Sequence, residues 1–268
     1  MAHYVVNSLD DVRLAPYREL PRANLTARSG RFVVEGQWMV QRLAASDYAV
    51  DSVVVDERRL ALIPAELPDS VPVFVLPGGM VETLIGFNFH RGILACGRRG
   101  RPLAVADVLC CETPRAVFVV CCDVQDPTNL GGILRNAAAF GAAGVLLSRQ
   151  CADAFSRRVL RVSMGTAFRL RIARSDDLLA DLRHAQSNGE LELVAAVLDP
   201  HAERLETAPR AARLAVLIGN EGQGLADEWL AECHRRVTLP MDHGTDSLNA
   251  ASASAVFLYH FTRIARGS

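Results

Sequence analysis

Leu214-Ala215-Val216-Leu217-Ile218, followed at once by Gly219-Asn220-Glu221-Gly222-Gln223-Gly224, decides the reading of this chain. An apolar run of that length reads as a strand buried on both faces, and the glycine-rich segment as a polar turn at its end. Further on, a second strand ends in Leu239-Pro240-Met241 and a loop covers 242–246. Ser247-Leu248-Asn249 then opens a helix through Ala250-Ala251-Ser252-Ala253-Ser254-Ala255 to Tyr259 and beyond. Two strand ends and one helix start thus deliver glycines, a carboxylate, a hydroxyl and an amide to one place. In open parallel sheets, ligands sit beyond the carboxyl ends of strands, where turns without side chains admit the backbone and helix starts present free N–H groups. The stretch therefore predicts a small-molecule site.

Upstream stands Asp126-Pro127-Thr128-Asn129-Leu130-Gly131-Gly132-Ile133-Leu134-Arg135-Asn136-Ala137. Together with the glycine turn and Leu239-Pro240-Met241 plus Ser247-Leu248-Asn249, it resembles the three signatures of the SpoU-type (TrmH-like) RNA ribose methyltransferases of the SPOUT superfamily. Three signatures in order are far more specific than a lone glycine turn, since such turns serve many nucleotide ligands. The resemblance is strong from residue 116 onward. It implies an α/β fold: a parallel-sheet domain whose C-terminal segment threads into a deep trefoil knot, one of the rare exceptions to the unknotted rule. It also implies a domain division of 1–100 for RNA substrate recognition, 101–115 as linker and 116–268 for catalysis.

By the same resemblance the cofactor is S-adenosylmethionine, held mostly by backbone groups at Gly219, Leu239 and Leu248, with Leu198 and Gly222 nearby. Arg135 is placed at the target ribose and phosphate; a guanidinium stays protonated, so orientation and charge stabilisation are the roles expected of it. Asn129, Glu221, Ser247 and Asn249 complete the catalytic set. The partners implied are RNA, ribosomal in preference to transfer RNA, and a second copy of the chain packed through the knotted domain. No metal is implied, and the seven histidines are scattered.

Each of these residues has a plainer reading. Gly224 suits a tight turn; Arg135 suits a snorkelling surface cation. Asn129 suits an ordinary turn amide, and Glu221 either a solvent-facing carboxylate or a partner that orients an arginine such as Arg135. Ser247 suits a helix N-cap, and the Ala/Ser helix either the dimer contact or close packing within the chain.

Composition narrows the classes. A length of 268 residues with 50% hydrophobic and 22% charged residues suits one large or two medium globular domains. The formal charge of −1 excludes binding to nucleic acid by overall charge, so any RNA contact is local. The basic residues are all arginine, which reads as genome composition or as bidentate phosphate recognition. Seven cysteines, with adjacent pairs Cys110-Cys111 and Cys121-Cys122, lack metal or redox spacing and read as buried reduced thiols. Residues 1–10 carry neither a basic start nor an apolar h-region, and no apolar run reaches membrane-spanning length. A soluble cytoplasmic protein is expected.

Along the chain, 9–31 carries Arg13, Arg18, Arg22, Arg28 and Arg31 and reads as a basic arm or a solvated leader. Strands are expected at 32–35, 50–55, 71–76 and 92–96, with helices at 37–46, 58–67 and 80–85, the last behind Gly78-Gly79. That alternation makes a compact α/β unit, similar to the recognition domain of many SpoU-type enzymes. Phe89-His90-Arg91-Gly92 departs from the polar Pro-Gln-Gly common there, and Gly97-Arg98-Arg99-Gly100-Arg101-Pro102 reads as a basic hinge. Strands follow at 116–120, 144–147 and 193–198, and helices at 131–140, 156–162 and 178–186, the last stopped by Asn188-Gly189. No repeat or low-complexity tract is evident. Two competing functions remain: a non-catalytic RNA-binding paralogue, opposed by the intact site residues, and a doubly wound nucleotide enzyme, whose glycine fingerprint after the first strand is missing.

Overall fold

A computed structural model describes residues 2–18, 20, 29–86, 91–111, 113–187, 191–242 and 247–265. Arg22, Arg28, Phe89, His90, the Asn188-Gly189 stop and most of the 242–246 loop lie outside the described residues. The chain forms two compact units, Met1–Arg101 with Phe155–Phe168, and Pro102–Ala154 with Arg169–Ser268.

The first unit is a five-stranded sheet of β1 (His3–Val5), β2 (Arg31–Glu35), β3 (Val50–Asp56), β4 (Val73–Leu76) and β5 (Ile93–Arg98), ordered β1-β4-β3-β5-β2. Its strands β1, β4 and β3 run parallel, while β5 is antiparallel to both β3 and β2. Helices α1 (Gln37–Ala44) and α2 (Met80–Ile85) pack on it, α2 starting from Gly79 at φ 83°. The 58–67 helix is instead a kinked 3-10 turn over Glu57–Leu62.

Where the opening of the chain is described, up to Arg18, it packs on the sheet and is not a free arm. A 3-10 turn, Val12–Tyr17, buries Leu14 and Tyr17 completely. The Tyr17 hydroxyl accepts from the Cys96 N–H at 3.1 Å and donates to the Ser52 carbonyl at 2.9 Å, so a buried polar group is satisfied on both sides. On another face Phe32 and Tyr48 meet Phe155 and Phe168 with ring centroids 5.3–5.7 Å apart. These aromatic contacts fix the segment 155–168, including α5 (Arg157–Val162), to this unit.

The second unit is a seven-stranded, wholly parallel sheet ordered β10-β12-β9-β11-β6-β7-β8. Its strands are β6 (Ala116–Cys121), β7 (Gly144–Leu147), β8 (Ile172–Arg174), β9 (Glu192–Val197), β10 (Glu203–Arg204), β11 (Arg213–Ile218) and β12 (Arg235–Thr238). Every residue of β6 is buried, as expected of a central strand covered on both faces. Within 101–115, α3 (Val105–Leu109) turns Val105 and Val108 into the core beside Phe118 and Leu146. The remaining helices are α4 (Pro127–Phe140), α6 (Leu178–Ser187), α7 (Asp227–Glu232) and α8 (Ala250–Tyr259), which continues as a π-helical turn to Ile264.

Helix α4 starts from Asp126, whose carboxylate accepts from the Thr128 N–H, has Pro127 at its first position and stops at Gly141 with φ 71°. It lies parallel to α8, start against start: Asn129 meets Asn249, Gly132 meets Ala251, Asn136 meets Ser254, and Phe140 meets Tyr259. Asn136 also donates to the Ala251 carbonyl at 2.6 Å. The small residues of α8 therefore serve close packing within the chain. A Cβ at Gly132 would stand 2.5 Å from the Ala251 Cβ, so Gly132→Ala must push two helices apart. Its expected cost is about 2 kcal/mol, read as a lower denaturant midpoint.

Candidate active site

The carboxyl ends of three neighbouring strands, β12, β9 and β11, open into one cavity of about 500 Å³. Leu198 follows β9, Gly219 to Gly224 follow β11, and Leu239 and Met241 follow β12; Ser247, Leu248 and the first turns of α8 close the side. All five residues expected to hold a cofactor, Leu198, Gly219, Gly222, Leu239 and Leu248, line this cavity. Leu198 is 64% and Leu248 38% exposed, and apolar side chains left open around a concavity mark a surface that a ligand covers.

The glycine turn is built by Asn220. Its backbone exchanges two hydrogen bonds with Gly224 at 2.9 Å, and its side-chain oxygen accepts from the Gly222 and Gln223 N–H groups at 2.9 and 3.1 Å. Its amide donates to the Asp123 carbonyl at 2.9 Å, tying the turn to the end of β6. Asp123 itself sits at φ 58°, an uncommon conformation for a residue with a side chain, and its carboxylate accepts from the Ser148 hydroxyl. Asn220 and Asp123 are site-building residues outside the set expected from the sequence. The polar residue within a glycine turn was the available signal for Asn220; nothing local marks Asp123.

The glycines differ in kind. A Cβ at Gly219 would lie 2.3 Å from the Gly224 carbonyl carbon and 2.6 Å from the Leu225 nitrogen, so the turn itself forbids a side chain there. Gly224 takes φ 69°. Gly222 has an ordinary φ and only the Asn220 oxygen at 3.7 Å near its absent Cβ, so the fold does not demand glycine at this cavity wall.

Glu221 does not pair with Arg135. Its carboxylate accepts from the N–H groups of Gln125 and Asp126 at 3.3 and 3.1 Å and from the Asn129 amide at 3.0 Å, because the turn after β11 lies alongside the turn after β6. Asn129, 7% exposed, in turn accepts from the Asn249 amide at 2.6 Å. The cap of α8 is Asn249 rather than Ser247: the helix begins at Ala250, and the Asn249 oxygen accepts from the Ala251 and Ser252 N–H groups. One asparagine thus caps a helix with its oxygen and grips Asn129 with its nitrogen. A continuous chain, Asn249 to Asn129 to Glu221, joins all three signature segments. Arg135 is exposed on α4, does not line the cavity, and has no ion pair with a described residue.

All seven cysteines are free; Cys110 is exposed, and burial pushes the thiols of Cys121, Cys122 and Cys151 up, so those three stay protonated near neutrality. Among the described residues no cluster of His, Cys, Asp and Glu could hold a metal ion, and no helix is long and apolar enough to cross a membrane.

Set beside known proteins, residues 116–259 match the model of the SpoU rRNA Methylase family. An uncharacterized tRNA/rRNA methyltransferase of Mycobacterium bovis is 36% identical over 262 residues, 95% of this chain and 90% of that protein. The 23S rRNA (guanosine-2'-O-)-methyltransferase RlmB of Acinetobacter baylyi is 27% identical over 78% of this chain and 85% of its own length. The AdoMet-bound rRNA methyltransferase of Sinorhizobium meliloti superposes with a TM-score of 0.82 over 97% of this chain and 98% of that one. At 23% identity that last likeness speaks for the fold alone.

Proposed function

The chain belongs to the SpoU rRNA methylase family, and from that premise we propose that it transfers a methyl group from S-adenosylmethionine to the ribose 2′-hydroxyl of a nucleotide in structured RNA, ribosomal in preference to transfer RNA. The observation that carries this reading is the hydrogen-bonded chain Asn249–Asn129–Glu221, which ties the first signature segment to the two segments that wall one open cavity. The relative named for guanosine 2'-O methylation of 23S rRNA supports the ribose and the ribosomal target.

The cavity suits the cofactor. Its volume of about 500 Å³ lies within the range of small-molecule sites, and leucine walls beside a glycine backbone match a nucleoside with apolar faces and polar edges. Leu198, Leu239 and Leu248 would cover those faces; Gly219 and Gly222 would present backbone groups. S-adenosylmethionine, when bound, supplies a methyl group already activated on a sulfonium sulfur. Arg135, exposed and without an ion-pair partner among the described residues, is free to take the ribose and its phosphate and to offset developing charge. Asn129, Asn249 and Glu221 hold the two helix starts and the glycine turn in register, and Ser247 stands at the cavity edge.

The reading extends to the assembly. Val256, Tyr259 and Ile264 are exposed along α8 and its extension, which supports a homodimer through this unit. The position of α8 against α4, after the strand whose end helps form the cavity, supports the trefoil threading. The first unit serves as the RNA-binding domain, and the setting is the cytoplasm.

Calorimetric titration with S-adenosylmethionine and a map of ribose methylation in cells with and without the gene test the proposal. Absence of binding, or an unchanged map, removes it. Gly222→Ala is expected to leave the thermal midpoint within about 2 °C and to weaken cofactor binding about tenfold, since one methyl intrudes on the ligand rather than on the turn.

A further inference from the structure

The first unit holds a cluster that methyl transfer does not use. Glu35, the last residue of β2, is only 5% exposed. The guanidinium of Arg161 stands 3.7 Å from it and that of Arg91 4.0 Å, with Arg157 at 4.0 Å on its other oxygen. These spacings exceed hydrogen-bond length. Glu35 therefore aims the guanidiniums of Arg91 and Arg161 without saturating their donors. Setting Arg157 aside, Arg91 and Arg161 already place two positive charges against one carboxylate, and both are about half exposed.

An exposed aromatic residue stands close along the chain. The Arg91 side chain runs along Gly36, approaching the position of its absent Cβ to 3.0 Å. Trp38 is two residues further on, within about 8 Å along the chain, and is 69% exposed. The other tryptophan, Trp229, is buried. An exposed indole two residues along from the glycine that Arg91 covers, together with arginines that retain free donors, offers two complementary recognitions, a planar fork for phosphate oxygens and a face for a base. A net charge of −1 over the whole chain requires that any nucleic-acid contact be concentrated in such a spot.

We infer that Glu35, Arg91, Arg161 and Trp38 form a subsite for single-stranded RNA, in which the two guanidiniums take a phosphodiester and Trp38 stacks one base. The inference rests on the reading that the chain acts on RNA. A single strand is specified because a base must be unstacked from its neighbours to reach the indole.

The test is binding of a labelled short oligouridylate to the full chain by fluorescence anisotropy at several salt concentrations. Trp38→Ala is expected to weaken binding about tenfold without altering the salt dependence. The double variant Arg91→Gln/Arg161→Gln is expected to weaken it further and to flatten the slope of log affinity against log salt by about 0.7, the contribution of the one phosphate the two cations share. Trp38→Ala should keep the native thermal midpoint, and both variants should keep S-adenosylmethionine affinity, which separates this inference from the cofactor reading; the double variant is expected to lower the midpoint, since it strips two cations from the buried Glu35. Unchanged oligouridylate affinity in both variants, or failure of the native chain to bind it while still binding S-adenosylmethionine, overturns the subsite. So does an altered sedimentation mass for Trp38→Ala with RNA binding intact, which would assign the indole to a protein contact.

Discussion

Arg135→Ala is expected to lower kcat for RNA methylation by about 10²–10³-fold, the loss typical of removing one preorganised group that stabilises charge, while the Kd for S-adenosylmethionine stays within about twofold. The split follows from position. Arg135 lies outside the cofactor cavity, so its removal takes no wall from it. It is exposed with no ion pair to a described residue, so no buried partner is left behind and the fold should not suffer. Arg135→Lys should recover only part of the rate, because an ammonium lacks the planar fork. Turnover retained in the alanine variant would put the reacting ribose elsewhere; loss of cofactor binding would mean that Arg135 belongs to the cavity after all.

Gly219→Ala is expected to act in the opposite way, through structure first. The added methyl would stand 2.3–2.6 Å from three backbone atoms of Gly224 and Leu225, none of which can swing aside like a side-chain tip. A cost of about 3 kcal/mol is in line with severe overpacking, seen as a thermal midpoint lowered by roughly 6–12 °C for a chain of this size. Cofactor binding should vanish with the turn. Paired with Gly222→Ala, the experiment separates two glycines that look alike in sequence: one required by its own backbone, the other by whatever fills the cavity. Equal effects at both positions would sink that distinction.

Much of the second unit was legible because its strands are largely apolar runs: β6, β7, β9 and β11 lie within a residue or two of expectation. Helix α4 stops where expected at Phe140 but starts at Pro127, four residues before the expected 131, because Asp126 caps it and Pro127 opens it. Helix α7 was not legible, since Asp227–Glu232 is a single turn and a half, too short to develop a period. The helix expected at 58–67 forms only as the kinked turn Glu57–Leu62, broken at Arg59. In the first unit, Leu14 and Tyr17 sit in a short stretch between Arg13 and Arg18 that shows no period; the partners of the Tyr17 hydroxyl, Ser52 and Cys96, lie far along the chain. The candidate site divides the same way. Which residues line the cavity could be expected from strand ends. Who bonds to whom could not: Glu221 to Asn129 spans 92 residues and Asn249 to Asn129 spans 120. Only packing decides whether an amide caps, grips or does both.

That last span has a bearing on synthesis. At about 5–20 residues per second, roughly 6–24 s separate the translation of Asn129 from that of Asn249, which is 120 residues later. Throughout that interval the face of α4 at Gly132 and Asn136 has no helix to lie against. Once β12 is made the sheet is complete but carries an unlatched seam, and the hydrogen-bonded chain from Glu221 through Asn129 closes only when Asn249 has been added.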